Sequence, residues 1–180
     1  LIITILWTVT HTKEYSPKEL AEFESKEVVE EKAKFTDMFH DFVNMPKTML
    51  QLGVVQFFSW IALFGMWVYT TPAVAQHIYG TSDALSPLYQ QAGDWVGVIF
   101  GVYNFVAMLF ALCLIPISKK LGRKTTHAIA LVIGGLSLIS MYFITNDQML
   151  ILPMIGIGIA WASILAMPYA ILAPALPAGK

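Results

Sequence analysis

The chain has 180 residues, of which 57% are hydrophobic and 13% are charged, and its formal net charge is −1. Soluble domains contain about 45–50% apolar residues, so this composition excludes a water-soluble domain that covers its surface with polar side chains. The charges are separated along the chain rather than massed into one patch, which argues against a nucleic-acid partner. The single Cys113 lies in an apolar run, which excludes a disulfide or a cysteine-based metal framework within the chain.

The first apolar run, Leu1–Val9, is too short to cross a bilayer, which takes about 20 residues. We interpret residues 1–9 as the end of a transmembrane helix, and the chain as a piece of a longer polytopic protein. Residues 10–49 are polar and predict a loop that contains amphipathic helices. Ser16–Glu19 has the pattern of a helix start with a capping box, and Met38–Val43 that of a short helix on the membrane surface. A solvated linker without a specific role is the alternative.

Four longer apolar runs follow within residues 50–180, and each is long enough to cross a hydrocarbon core of roughly 30 Å. They cover residues 50–71, 95–118, 126–145 and 149–172. The short polar turn Asn146–Gln148 makes the last two antiparallel neighbours. The sequence therefore predicts an all-α polytopic membrane protein.

The basic residues are confined to three places along the chain. These places are Lys13–Lys47, Lys119–Lys124 and Lys180. If the apolar runs cross alternately, all three fall on one face, which the positive-inside rule assigns to the cytoplasm. The loop at 76–94 contains Asp83 and Asp94 and no basic residue, so we expect it to be external. This pattern predicts a multi-pass protein of the cell (inner or plasma) membrane.

Polar side chains inside the first full span are candidates for ligand binding, because lipid makes them costly. Gln56, Trp60, Phe64 and Trp67 share one helical stripe. An amide supplies hydrogen bonds to sugar hydroxyls, and an indole supplies a flat surface for the apolar face of a sugar. The alternative is that Trp60 and Trp67 face lipid.

The second span has a small-residue face. Gly97 and Gly101 have the spacing that permits close helix packing. Asn104 lies on the same face and is expected to point into protein or a cavity. Both a substrate contact and a structural hydrogen bond between helices remain open for it.

The fourth span contains two prolines and two glycines, which indicates a helix that bends where it lines a cavity. Trp161 is the candidate ligand contact on this helix, and Tyr169 is the second. Gly156, Ala160 and Ser163 form a small-residue packing face.

Charged residues are absent from the central part of all four spans. This segment by itself therefore does not supply a carboxylate for an intramembrane proton relay. The sequence has no metal-ligand pattern, no nucleophile with a paired base and no phosphate-binding loop. These absences argue against an enzyme and predict neither a metal nor a bound cofactor.

The short loop between the second and third spans contains Lys120, Gly122, Arg123 and Lys124. These residues resemble the basic part of the cytoplasmic loop motif of the major facilitator superfamily. Lys119 occupies the position where that motif has an acidic residue, so the sequence departs from the family pattern there. The resemblance implies a role for these residues in conformational change.

Two further stretches, Asn44–Trp60 and Gly158–Ala170, resemble cation symporters for glycosides, pentosides and hexuronides, particularly the sucrose–proton branch. The resemblance implies a twelve-helix protein in which this chain supplies the end of the sixth helix, the central loop and the seventh to tenth helices. Gln56, Asn104 and Trp161 would then line the central cavity. The coupling carboxylate would lie in the missing amino-terminal helices, and the last two helices are also missing.

The function expected from this resemblance is sugar transport by alternating access, with an α-glucoside such as sucrose or maltose as substrate and a proton, possibly Na⁺, as coupling ion. The sugar and the lipid bilayer are the expected partners. One alternative is an antiporter that exports another small solute. A second is a transport-dead membrane sensor or scaffold that uses the charged loop as its partner surface.

Overall fold

The computed structural model describes Thr10 and residues 45–175, and this part of the chain is helical. The long helices, all within one compact unit, are α1 (Lys47–His77), α2 (Pro87–Leu121), α3 (Arg123–Met141) and α4 (Ile151–Leu172). Two 3₁₀ turns, Gln148–Leu150 and Ala173–Ala175, flank α4. The interpretations of residues 1–9, of most of 10–49 and of Lys180 lie outside the described residues.

Four of the described helices are long and apolar enough to cross a membrane, where α4 is counted with the 3₁₀ turn before it. The prediction of an all-α membrane protein is thus confirmed for the described residues. The helix bounds differ from the apolar runs. Both α1 and α2 begin earlier than the runs at 50 and 95, because helices continue into the headgroup region where polar residues are tolerated. At the start of α2, Ser86 accepts a hydrogen bond from the Tyr89 N–H at 3.2 Å, with Pro87 at the first helical position.

The central helix is α4, which packs along both α2 and α3. Glycines make this close approach possible. A Cβ placed on Gly158 would lie 2.6 Å from the Tyr103 carbonyl oxygen, and one placed on Gly134 would collide with Ala160. Helix association in lipid depends on such close packing, because apolar side chains gain little by leaving lipid for protein.

The two ends of the bundle differ in charge. At the acidic end, the Asp147 carboxylate accepts a hydrogen bond from the Tyr79 hydroxyl at 3.0 Å, and the Asp147 backbone carbonyl accepts one from the Trp95 indole at 2.8 Å. At the opposite, basic end, Arg123 donates to the Ala170 carbonyl at 2.6 Å. The loops that follow α1 and α3 therefore meet at one end, as alternate crossing requires.

Candidate functional site

Three tryptophans from two helices converge in the seam between α1 and α4. Trp60 and Trp67 come from α1 and Trp161 from α4. Their ring centroids are 5.6–6.2 Å apart, and the rings meet edge to face at 70–90°. Edge-to-face pairs at these distances are favourable by about 0.5–1.5 kcal/mol each beyond their burial. We refer to these three residues as the tryptophan cluster.

A hydrogen bond from Trp67 holds the tryptophan cluster against α2. Its indole N–H donates to the Tyr103 hydroxyl of α2 at 3.0 Å, and Tyr103 is buried. Tyr103 also packs edge to face against Phe100. Trp67 therefore links α1 to α2 and has no free donor for a ligand.

Gln56 lies one helical turn before Trp60 and reaches across to α4. Its Nε2 donates to the Ile164 carbonyl in a long hydrogen bond of 3.4 Å. That carbonyl is available because Pro168, four residues later, has no N–H to give it. The other amide atom, Oε1, is buried and has no partner among the described residues.

The free polar atoms of this seam define what it can bind. Trp60 is 42% exposed, and within the described part of the chain neither its indole N–H nor that of Trp161 has a hydrogen-bond partner. Together with Gln56 Oε1 they give one acceptor and two donors beside flat aromatic surfaces. A hydroxyl group both donates and accepts, so a polyhydroxylated ring suits this combination.

The structure does not bring the other predicted contacts into this seam. Asn104 is exposed and donates to the Phe100 carbonyl of its own helix at 2.9 Å. Tyr169 is 73% exposed, and Phe64, from the same stripe as Gln56, is 65% exposed. The substrate roles of Asn104 and Tyr169 stay predictions.

Gly97 and Gly101 face away from the described helices. Both are exposed, and a Cβ at either position would meet nothing within 4 Å. The close contacts are made instead at three glycines of α3 and α4, Gly134, Gly156 and Gly158. The predicted small-residue face of α4 is therefore in contact, whereas any partner of the α2 glycines lies outside the described residues.

Two residues of the loop motif, Gly122 and Arg123, shape the basic end of the bundle. Gly122 alone joins α2 to α3, at φ 83° and ψ 149°, a conformation that side chains disfavour. The neighbouring Arg123 binds a carbonyl in the last turn of α4, where the unpaired carbonyls of a helix end attract a cation. Lys120 and Lys124 are exposed.

Sequence reasoning missed Tyr103, because an aromatic residue in an apolar helix carries no sign of its partner. It also missed the buried pair of His127 and Ser163, whose Nδ1 and Oγ are 2.9 Å apart. Among the described residues no group of His, Cys, Asp and Glu has the arrangement of a metal site.

A concavity of about 680 Å³ among the described residues lies apart from the tryptophan cluster. It is at the acidic end between α1 and α3 and is lined mainly by apolar residues such as Met66, Val74 and Leu138. It has no unpaired buried polar atom. The convergence of Gln56 with the tryptophan cluster is therefore the stronger candidate for a ligand site.

The comparisons with known proteins place the chain in a family. The model of the Major Facilitator Superfamily matches residues 1–179. No curated protein and no solved structure matches the chain. The family match agrees with the four membrane-spanning helices. The chain belongs to the major facilitator superfamily of membrane transporters.

Proposed function

We propose that this chain is part of a secondary transporter that moves a sugar, with an α-glucoside such as sucrose or maltose as substrate. The observation that supports this most is the seam between α1 and α4. There Gln56 Oε1 lacks a donor, and the N–H groups of Trp60 and Trp161 lack acceptors. A sugar hydroxyl would satisfy both kinds of atom, and an indole would cover the C–H face of the ring.

Alternating access would follow from the way this seam is built. Gln56 binds α4 through a carbonyl freed by a proline, so one long hydrogen bond joins α1 to α4 beside the ring contacts of the tryptophan cluster. A sugar that binds Gln56 and Trp161 together would strengthen the seam. Rocking of two halves of the protein around such a midplane site is the expected mechanism.

The coupling ion belongs to the same proposal. We propose proton symport, with Na⁺ as the other possible ion, and place the coupling carboxylate in the amino-terminal helices that the family resemblance implies. The only acidic residues between 45 and 175 are Asp83, Asp94 and Asp147, at the acidic end or in the first turns of α2. The proposed location is the cell membrane.

The test is uptake of labelled maltose or sucrose by the intact transporter in proteoliposomes. Removing a buried hydrogen-bonding partner costs about 1–3 kcal/mol, which is roughly five- to 150-fold in affinity. Gln56→Ala and Trp161→Ala should therefore raise the half-saturating sugar concentration by this factor. The pH dependence of uptake should persist in both variants, because the proton site is proposed elsewhere.

The matched control is Phe64→Ala, which removes an aromatic ring from the same stripe of α1 but from a position outside the seam. It should leave the half-saturating concentration unchanged. Unaltered affinity in both Gln56→Ala and Trp161→Ala would show that the seam is structural and that the site assignment is wrong.

A different solute is the second candidate, and the exposed ring of Trp60 favours it. Indole faces attract organic cations as well as sugars. An antiporter for a cationic solute would use Trp60 and Trp161 without needing Gln56. Competition by tetraethylammonium instead of maltose, with Gln56→Ala unaffected, would support this candidate against the sugar.

A further inference from the structure

Tyr103 lies at the point where α1, α2 and α4 meet, and it supplies no group to the proposed sugar site. The residue is 5% exposed, and its hydroxyl accepts the hydrogen bond of the Trp67 indole N–H at 3.0 Å. Buried tyrosine hydroxyls and indole N–H groups normally have such a partner. The orientation of the Trp67 ring is therefore tied to the position of Tyr103.

The backbone of Tyr103 makes a second contact, with α4. Gly158 approaches its carbonyl so closely that a Cβ on Gly158 would lie 2.6 Å from the oxygen. Gly158 precedes Trp161 by three residues, which is about 4.5 Å along the helix. This close approach sets the height of Trp161 relative to α2. Tyr103 thus constrains Trp67 through its hydroxyl and Trp161 through its backbone.

The ring of Tyr103 is itself held in place. It packs edge to face against Phe100 of its own helix, with the ring centroids 5.5 Å apart and the planes at 78°. Side chains packed in this way keep a single low-energy rotamer. The hydroxyl is therefore a fixed acceptor, unlike the hydroxyl of an exposed tyrosine.

Trp67 transmits this constraint to the two rings that are proposed to bind the sugar. Its centroid is 6.2 Å from that of Trp60 and 5.6 Å from that of Trp161, with the planes at 70° and 90°. Aromatic pairs prefer this edge-to-face arrangement. A rotation of the Trp67 ring would therefore lose both contacts or shift both neighbours, and a binding site tolerates displacements of only about 0.5 Å.

We infer that Tyr103 is a positioning residue of the tryptophan cluster. Its hydroxyl, through Trp67, holds Trp60 and Trp161 in the arrangement that receives the sugar ring, and it does not contact the sugar itself. This inference rests on the proposed function of the seam. Rings that are already ordered need no ordering on binding, so the hydroxyl raises sugar affinity and leaves the turnover of the loaded transporter unchanged.

The first experiment is uptake of labelled maltose by the intact transporter in proteoliposomes. Tyr103→Phe removes the hydroxyl and keeps the ring and the backbone contact with Gly158. It should raise the half-saturating concentration about two- to tenfold, the factor to which one neutral hydrogen bond corresponds, and leave the maximal rate unchanged. Tyr69→Phe is the matched control, because this α1 hydroxyl is 67% exposed and has no partner among the described residues. It should change neither quantity.

A double variant tests whether the effect depends on Trp67. Trp67→Phe removes the indole N–H and should raise the half-saturating concentration by itself. Adding Tyr103→Phe should then cause no further rise, because the hydrogen bond is already lost. If Tyr103→Phe does not fold, Trp67→Phe tests the same bond from its donor side, and unaltered affinity in it overturns the inference.

Near-ultraviolet circular dichroism of the sugar-free protein tests the arrangement of the cluster without any transport. The signal of tryptophans in mutual contact depends on the orientation of their rings. Tyr103→Phe should therefore change the tryptophan signal, whereas Tyr69→Phe should not.

Two results would overturn the inference and leave the proposed sugar site intact. The first is weaker sugar binding in Gln56→Ala and Trp161→Ala but not in Tyr103→Phe. The second is an additive rise in the double variant, which would show that Tyr103 acts independently of Trp67. A changed dichroism signal in Tyr103→Phe with unaltered affinity in all these variants would overturn the sugar site instead, while the hold of Tyr103 on the cluster would stand.

Discussion

Pro168 leaves a backbone carbonyl one helical turn earlier in α4 without its usual N–H donor. It cannot donate to the Ile164 carbonyl, and the amide of Gln56 from α1 uses the acceptor that is left free. A proline in a membrane helix is tolerated where another group satisfies the freed carbonyl. Gln56 therefore ties two helices through Nε2, while its Oε1 has no partner among the described residues and is the atom proposed to bind a ligand.

A second residue-scale contact lies at the acidic end. Tyr79 donates to the Asp147 carboxylate, and its pKa is raised, first because burial disfavours the phenolate and then because of the hydrogen bond to Asp147 and the charge of that group. A raised pKa means that folding favours the neutral phenol. The stabilisation is complete below the unfolded pKa of about 10 and is lost as the pH rises through the higher folded value.

We therefore expect Tyr79→Phe to lower the melting temperature at pH 7, because it removes a hydrogen bond to a charged acceptor. The partly exposed position limits the loss to about 1 kcal/mol. The difference from wild type should shrink as the pH rises above 10. Thermal unfolding followed at several pH values checks this, and a difference independent of pH would contradict it.

At the scale of the element, two adjacent glycines of α3 have opposite surroundings. A Cβ on Gly134 collides with Ala160 of α4, whereas one on Gly135 meets nothing within 4 Å. Gly134→Leu should destabilise the bundle by about 1–3 kcal/mol, because the helices would have to separate. Gly135→Leu is the matched control and should be neutral. Thermal stability in detergent measures both, and equal effects would mean that α3 and α4 do not pack as described.

The α2 glycines provide a different test, because the described helices leave their face free. Close packing there was predicted from the spacing of Gly97 and Gly101. Gly101→Leu should lower folded yield in detergent if a helix outside the described residues packs on this face. Unchanged yield and stability would place the face against lipid, and the case for Asn104 as a substrate contact would weaken with it.

At the scale of the whole molecule, the separation of charge predicts the orientation in the membrane. Asp83 lies at the acidic end and Lys120 at the basic end. Cysteines introduced at these positions, in a background without Cys113, should react oppositely with an impermeant maleimide. In intact cells only position 83 should be labelled. Labelling of position 120 from outside would reverse the assignment.

The sequence by itself determined the features that depend on local composition. Apolar length predicts the four spans, and the distribution of lysine and arginine predicts which ends share a side. It also indicated the small-residue face of α4 and a glycine at the α2–α3 junction. These features follow because lipid acts on each segment separately: it requires apolar surface and an internally bonded backbone wherever a chain crosses it.

The tertiary structure alone decided which side chains meet. Periodicity placed Gln56 and Trp60 on one stripe of α1, but that stripe also contains Phe64, which remains exposed. Nothing local to Tyr103 or to His127 indicates that they pair with Trp67 and Ser163. Such pairings depend on how far two helices can approach and at what rotation. That approach is set by contacts between residues far apart in sequence, such as Gly158 of α4 against the Tyr103 carbonyl of α2.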